Sequence, residues 1–334
     1  MLAPEWSACL TVKGQDSDKM KRSQSIFVGI LAGISAGMML VAAFTAGVLA
    51  FVLFFAAPAA IYIATMGWGF VAGLVATAIG TMIAVYAGGS GAAGIGLLLL
   101  FFPAASVSYM VNLGQRADDG AGIVWFPLSD ILFRLMAMLA IGFMALGTAA
   151  GYSSESFAPS FAELMRQLAS SNPEIEMPAD NELRARAQVY ANIIPTIVPA
   201  AWLLIHVIIA FLSAGITRRS GLLARDKEDI AATITLPVET IFVLVAGLIA
   251  LLLFSGSLAD IGGVLTGITV AGFGLVGLAE LHYRTRPMAS RGIILLVVYA
   301  SIGLFTVPLI IFTIIGIFRS IKRAASANPG SGAT

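Results

Sequence analysis

Between Arg22 and Arg116 the chain reads SQSIFVGILAGISAGMMLVAAFTAGVLAFVLFFAAPAAIYIATMGWGFVAGLVATAIGTMIAVYAGGSGAAGIGLLLLFFPAASVSYMVNLGQ, ninety-three residues without one Asp, Glu, Lys or Arg. A bilayer core about 30 Å thick takes roughly 20 helical residues to cross. The stretch therefore predicts about four crossings, over residues 27–45, 48–65, 69–87 and 93–112. Gly67-Trp68-Gly69 and Gly88-Gly89-Ser90-Gly91 mark two of the breaks. Hydrocarbon cannot satisfy open backbone groups, and no barrel-type alternation is present, so the crossings are helices.

Charge-free windows continue outward at 135–154, 187–217 and 292–318. Residues 230–283 carry only Glu239, Asp260 and Glu280, near expected helix ends, and read as crossings at 238–254 and 261–281. The fold class is all-α, a polytopic transmembrane helix bundle of about nine spans, with eight to ten allowed, and a short outer-face amphipathic helix. Its parts are a cytoplasmic polar tail (1–25), spans 1–5 (26–150), an external loop (151–189), spans 6–9 (190–320) and a disordered tail (321–334). Met20-Lys21-Arg22 before the first span has the form of an uncleaved signal anchor.

Composition agrees. Of 334 residues, 59% are hydrophobic and 11% charged, with mean hydropathy +0.95, where soluble domains carry about a quarter charged residues. Soluble globular, disordered, collagenous and nucleic-acid-binding classes are excluded. A net charge of +1 gives no field for a polyanion. The single Cys9 forbids an internal disulfide, and two histidines do not assemble a metal site, so neither metal nor cofactor is expected.

Lysine and arginine in short loops set orientation. Lys13, Lys19, Lys21 and Arg22 flank the first span, Arg218, Arg219, Arg225 and Lys227 follow the sixth, and Arg284, Arg286 and Arg291 follow the eighth. An inward amino terminus puts all three clusters inside and the acidic 151–186 segment outside. Arg319, Lys322 and Arg323 break the rule, because nine crossings would put them outside. Either the last apolar stretch, interrupted by Pro308, re-enters without crossing, or the span count is off by one.

In the 151–189 loop, Ser160 is placed to cap a helix with Phe161, Leu164, Met165 and Leu168 on one stripe. That helix lies on the membrane face or packs over the bundle mouth; the functional alternative is a lid. Pro173, Glu174, Glu176 and Pro178 read as an acidic linker.

Catalytic signatures are absent: no G-x-S-x-G, H-E-x-x-H, Walker A or C-x-x-C occurs, and no enzyme activity is expected. Ionisable residues at membrane depth are functional candidates by default. Asp130 with Arg134 and Glu280 with Arg284 are i, i+4 pairs, Glu239 suits a first helical turn, and Asp260 has the position of an N-cap. His206 lies inside a charge-free window. Asn192, Pro195, Pro199, Trp202 and His206 recur at steps of three and four, on one helical face. Each proline frees a carbonyl one turn earlier, and broken helices with polar groups form midplane transporter sites. His206, Trp202 and Asn192 are thus the candidate ligand-binding residues; the competing reading is a kinked packing face whose histidine bonds a neighbouring helix. Gly29, Gly33 and Gly37, with Gly69 and Gly73, have the spacing that lets helix backbones approach, for packing or for docking a partner.

Ala57-Pro58-Ala59-Ala60, Met66-Gly67-Trp68-Gly69 and the Gly/Ala-rich third span, with Trp125-Phe126-Pro127-Leu128-Ser129-Asp130, resemble YybS-like bacterial predicted membrane proteins over roughly residues 26–318. That family is loosely similar to the substrate-capture components of energy-coupling-factor transporters. The resemblance implies a bacterial inner-membrane protein capturing a small, mostly neutral ligand beside an ATPase and a coupling subunit; it assigns no site residue. The alternative is a non-transporting scaffold or cell-envelope assembly factor, with lipid and other membrane proteins as partners and no nucleic acid.

Overall fold

Long runs of Ala, Leu, Ile and Gly without charge leave the backbone no partner but itself, and the computed structural model is helical almost throughout. It describes residues 18–44, 47–117, 122–171, 178–305 and 307–327. Most of the polar tail, Lys13, Cys9, and the Pro173–Glu176 part of the linker lie outside the described residues. Helix α1 spans Asp18–Ala43, α2 Ala50–Trp68, α3 Phe70–Gly94 and α4 Phe102–Val111, with a π-helical link Ile95–Phe101 between the last two. A two-stranded antiparallel hairpin follows, β1 Gly114–Arg116 and β2 Ile123–Trp125. Then come α5 Leu128–Ala149, α6 Ser154–Ser171, α7 Asp180–Arg219, α8 Ile230–Thr233, α9 Glu239–Leu253, α10 Ser257–Arg284, α11 Arg291–Phe305 and α12 Val307–Ala327. The helices α1 and α12 thus enter the stretches expected to be irregular tails.

Against an expectation of nine crossings, six helices among the described residues have the length and apolarity of a span: Arg22–Ala43, Ala50–Trp68, Phe70–Val111, Leu128–Ala149, Asp180–Arg219 and Ser257–Arg284. A seventh is reached if Arg291–Leu304 and Pro308–Ser326, bent by 117°, make one broken span. At 15 residues α9 is about 22 Å long and falls short of the bilayer core. Phe70–Val111 holds two expected crossings, because Gly89 leaves the helix at φ 78° and ψ −175°. Thr77 Oγ1 then meets the Phe101 carbonyl at 3.5 Å, although 24 residues of straight helix would part them by about 36 Å. The chain therefore folds back at Gly89, in the Gly88–Gly91 break.

The chain divides into two compact units, residues 1–139 with 204–230 and residues 140–203 with 231–334. In the first, a Cβ on Gly29, Gly33 or Gly37 would stand 2.6–2.9 Å from the carbonyls of Ala72, Ala76 and Gly80 in turn. Positions rise together on both helices, so α1 and α3 run parallel, backbone against backbone. Gly73 instead makes room for the Thr65 side chain of α2. Gly69 serves no helix contact: it sits at φ 89° in open space and turns the chain from α2 into α3. Carbonyls at the end of α2 are taken by its neighbours. Ser108 Oγ donates to Tyr62 O, Asn112 Nδ2 to Met66 O at 2.9 Å, and Ser25 Oγ to Trp68 O. Arg225, 4% exposed, ties the loops together by donating to Phe126 O at 2.9 Å and pairing with Glu228 at 2.8 Å. Arg134 lies over the Phe126 ring at 4.9 Å instead of pairing with Asp130.

In the second unit α10 is the most enclosed candidate span, 72% buried. Glycines again set its contacts: a Cβ on Gly277 would enter the Phe312 carbonyl, and one on Gly316 the Phe273 carbonyl. Thr313 Oγ1 donates to Val270 O at 3.0 Å. Val270–Thr313, Phe273–Gly316 and Glu280–Arg319 rise together, so α10 and α12 run parallel, while Gly247 and Gly262 pack α9 antiparallel to α10. Large apolar side chains face outward in both units, Phe51 at 74%, Leu252 at 73% and Leu304 at 76% exposure, as lipid permits and water does not.

The helix expected in the 151–189 loop starts earlier than its expected cap. Ser153, not Ser160, caps α6: its Oγ accepts the Ser156 N–H at 3.1 Å and Ser156 Oγ accepts the Ser153 N–H at 3.2 Å. Its packed stripe is the buried Ala158 and Ala162 with the half-buried Phe157, Phe161 and Met165, set on Leu183, Ala187 and Ala191 of α7. Leu164 and Leu168 remain 49% and 45% exposed, at the flank of a packed face centred on Ala158 and Ala162. Asp260 is likewise not an N-cap of its own helix, a position held by Gly256. Its Oδ2 accepts the Ser154 N–H at 3.1 Å and so places a carboxylate at the positive end of α6.

Candidate functional site

His206 is 1% exposed, and both its ring nitrogens are engaged inside the first unit. Nε2 lies 2.7 Å from the Leu99 carbonyl and Nδ1 3.0 Å from the Tyr62 hydroxyl. A carbonyl can only accept, so Nε2 carries the proton and Nδ1 accepts from Tyr62 O–H. Leu99 lies in the π-helical link, four residues before Pro103, which has no amide to give its carbonyl an α-helical bond. The histidine is thus a neutral bridge between helices, with neither a lone pair nor an N–H left for a ligand.

The other two candidates have partners of their own. Trp202 stands edge-on to Phe143 at 5.5 Å. Asn192 Oδ1 accepts from Gln188 Nε2 at 3.0 Å on an exposed face. Fourteen residues of helix separate Asn192 from His206, so one helical face does not make one site. Of the carbonyls freed by the two prolines in α7, that of Ala191 accepts the Tyr152 hydroxyl at 3.1 Å. Burial, with the Asp260 charge adding to it, pushes the Tyr152 phenol up to about 12, so at neutral pH it is a donor.

A cavity of about 540 Å³ opens elsewhere, in the second unit, where α10 and α12 end. That volume lies in the range of roughly 300–1,000 Å³ usual for small-molecule sites. One face of α12 lines it, since Phe312, Ile315, Arg319, Lys322 and Ser326 follow at steps of three and four; Phe318 and Arg323 flank them. The last turns of α10 add Glu280, Leu281, Tyr283 and Arg284, and α8 adds Ala232. Four cations thus share the cavity with a single carboxylate.

The carboxylate orders the deeper cations. Glu280 pairs with Arg319 at 3.0 Å and with Arg284 one turn on. Arg319, 9% exposed, also donates to Ala231 O at 2.7 Å, and Arg323 to Ala232 O at 3.0 Å. Lys322 is exposed and has no ion pair among the described residues. From the sequence these basic residues stood out only as a break in the inside-positive pattern. Arg319 meets Glu280 one turn before Arg284, so across the 117° bend α12 comes to end beside the end of α10.

Groups of His, Cys, Asp and Glu able to hold a metal are absent among the described residues. The chain matches no protein-family model, no curated protein and no solved structure.

Proposed function

We propose that this chain is a polytopic membrane protein that binds an anionic ligand at the cavity between α10 and α12, on the cytoplasmic side. One observation carries the reading: Arg284, Arg319, Lys322 and Arg323 converge on about 540 Å³ with Glu280 as the sole acid. Low-dielectric walls such as Phe312 and Ile315 strengthen the field of such a cluster. The binding-component role expected from the sequence is kept, with a bacterial inner membrane as its setting, but the ligand is charged and not neutral. The YybS-like resemblance is compatible with this role.

The test is thermal unfolding in neutral detergent at constant ionic strength, with chloride exchanged for inorganic phosphate. The midpoint is expected to rise with phosphate, and Lys322→Ala/Arg323→Ala to abolish the rise. No rise in the parent protein, or an equal rise in the variant, overturns the reading. The non-transporting scaffold stands second, favoured by the closed hydrogen bonding around His206.

A further inference from the structure

We infer that the occupant of this cavity is an anionic phospholipid of the surrounding leaflet, held by its phosphate at Arg284, Lys322 and Arg323. The inference rests on the anion-binding reading above and adds the ligand's class. Its ground is the change of polarity along one face of α12. Phe312 and Ile315 form the deep part of the wall, and Arg319, Lys322 and Ser326 continue it outward. From 312 to 326 that face runs about 21 Å, from apolar to cationic. A free phosphate would use only the outer half. An amphiphile uses both, with its acyl chain against the aromatic wall and its head among the guanidinium and ammonium groups.

Two further features fit a lipid. Phe318, at the level of the cations, is 68% exposed, so an apolar surface borders the charged one without protein cover. The last turn of α10, with Tyr283 and Arg284, forms the opposite wall, and aromatic and basic residues of this kind mark the headgroup level. Basic pockets between spanning helices on the cytoplasmic side are suited to anionic head groups. Glu280 offsets one charge, shared between Arg319 and Arg284, which leaves Lys322 and the remaining N–H donors of the exposed Arg284 and Arg323 side chains to meet the phosphate. Cations that merely snorkel at a helix end would show no preference among head groups, and that is the difference to measure.

The test is native mass spectrometry of the full chain in neutral detergent. It is titrated with phosphatidylglycerol and with phosphatidylcholine of the same acyl chains, with inorganic phosphate in a parallel unfolding series. The expected result is retention of phosphatidylglycerol about tenfold or more above phosphatidylcholine, the order that two surface basic residues supply. Lys322→Ala/Arg323→Ala should erase the preference, Lys322→Arg/Arg323→Lys should keep it, and Arg286→Ala, outside the cavity lining, should leave it unchanged. Equal retention of the two lipids, or a preference that survives the double alanine variant, overturns the inference. Equal retention together with a phosphate effect confined to the parent protein overturns the lipid and spares the anion site. Absence of both effects overturns the two together.

Discussion

The Tyr152 hydroxyl donates to the Ala191 carbonyl at 3.1 Å, the carbonyl that Pro195 leaves without its helical amide. The same device recurs where Pro103 withholds its amide and His206 donates to Leu99. In both places a kink-forming residue creates an acceptor, and a side chain distant in sequence fills it. Neither acceptor is open to a ligand.

Tyr152→Phe should lower stability by about 1–2 kcal/mol, the price of a carbonyl stripped of its donor. Pro195→Ala restores the amide, so Tyr152→Phe should be nearly neutral in that background. Unfolding in detergent as a double-mutant cycle measures the coupling; equal losses in both backgrounds would refute it.

Alkali should break the same bond. Burial first, and then the Asp260 charge, raise the folded phenol to about 12 from about 10 when unfolded. The proton is held more tightly in the folded state, so this contribution is intact below pH about 10 and is lost as pH rises through about 12. Ultraviolet difference titration against Tyr152→Phe should assign a late-titrating phenol to this residue, and Asp260→Asn should bring its titration to lower pH.

His206→Phe should destabilise by about 2–4 kcal/mol, because it leaves the Tyr62 hydroxyl and the Leu99 carbonyl without this bridge. Tyr62→Phe, which removes only one bond, should cost about 1 kcal/mol. Phosphate or lipid binding by whatever His206→Phe protein remains folded should be unaltered. Lost binding with an intact fold would return His206 to the ligand site.

Glycines divide by what faces them. Gly33→Ala sets a methyl 2.6 Å from the Ala76 carbonyl, and Gly277→Ala drives one into the Phe312 carbonyl; each should lose about 1–3 kcal/mol or more. Gly147→Ala meets nothing within 4 Å on its helix and should gain about 0.5–1 kcal/mol. Thermal midpoints of the three variants are the measurement, and equal effects would disprove the close helix contacts.

With Cys9→Ser as the parent, Ser290→Cys and Ala325→Cys should react with an impermeant maleimide from the same side of oriented vesicles. Labelling from opposite sides would mean that α11 and α12 together cross the membrane and that the Glu280–Arg319 pair does not form.

Part of this was legible in the chain itself. The Gly88–Gly91 break is where the backbone reverses, since a glycine run in an apolar stretch is the cheapest place for a positive φ. Gly29, Gly33 and Gly37 lie on one face by spacing alone, and the Glu280–Arg284 pair follows from i, i+4 geometry. Gly69 was harder, because the spacing of a packing glycine and the need of a turning one look alike. Ser160 and Leu164 misled for a similar reason: Phe161 and Met165 belong equally to the expected stripe and to the face centred on Ala158 and Ala162, and only the contact with α7 chooses between them. The cavity was invisible as a cavity. Its cations are spread over Arg284 and residues 319–323, and no local pattern says that a bend at Pro308 brings the two segments together.

The amino-acid sequence alone determined the solvent and the secondary structure, because a segment with no charge to hydrate and no water to accept its amides must bond to itself as helix. It also determined which carbonyls would lack an amide, since proline acts on a position four residues away. Tertiary structure decided who answers them: Tyr152 reaches Ala191 across 39 residues and His206 reaches Leu99 across 107. It decided too that α10 and α12 run parallel and gather their cations at one end. Hydrogen bonds and ion pairs act over about 3 Å, so partners that far apart in the chain are chosen only when packing brings the helices into contact.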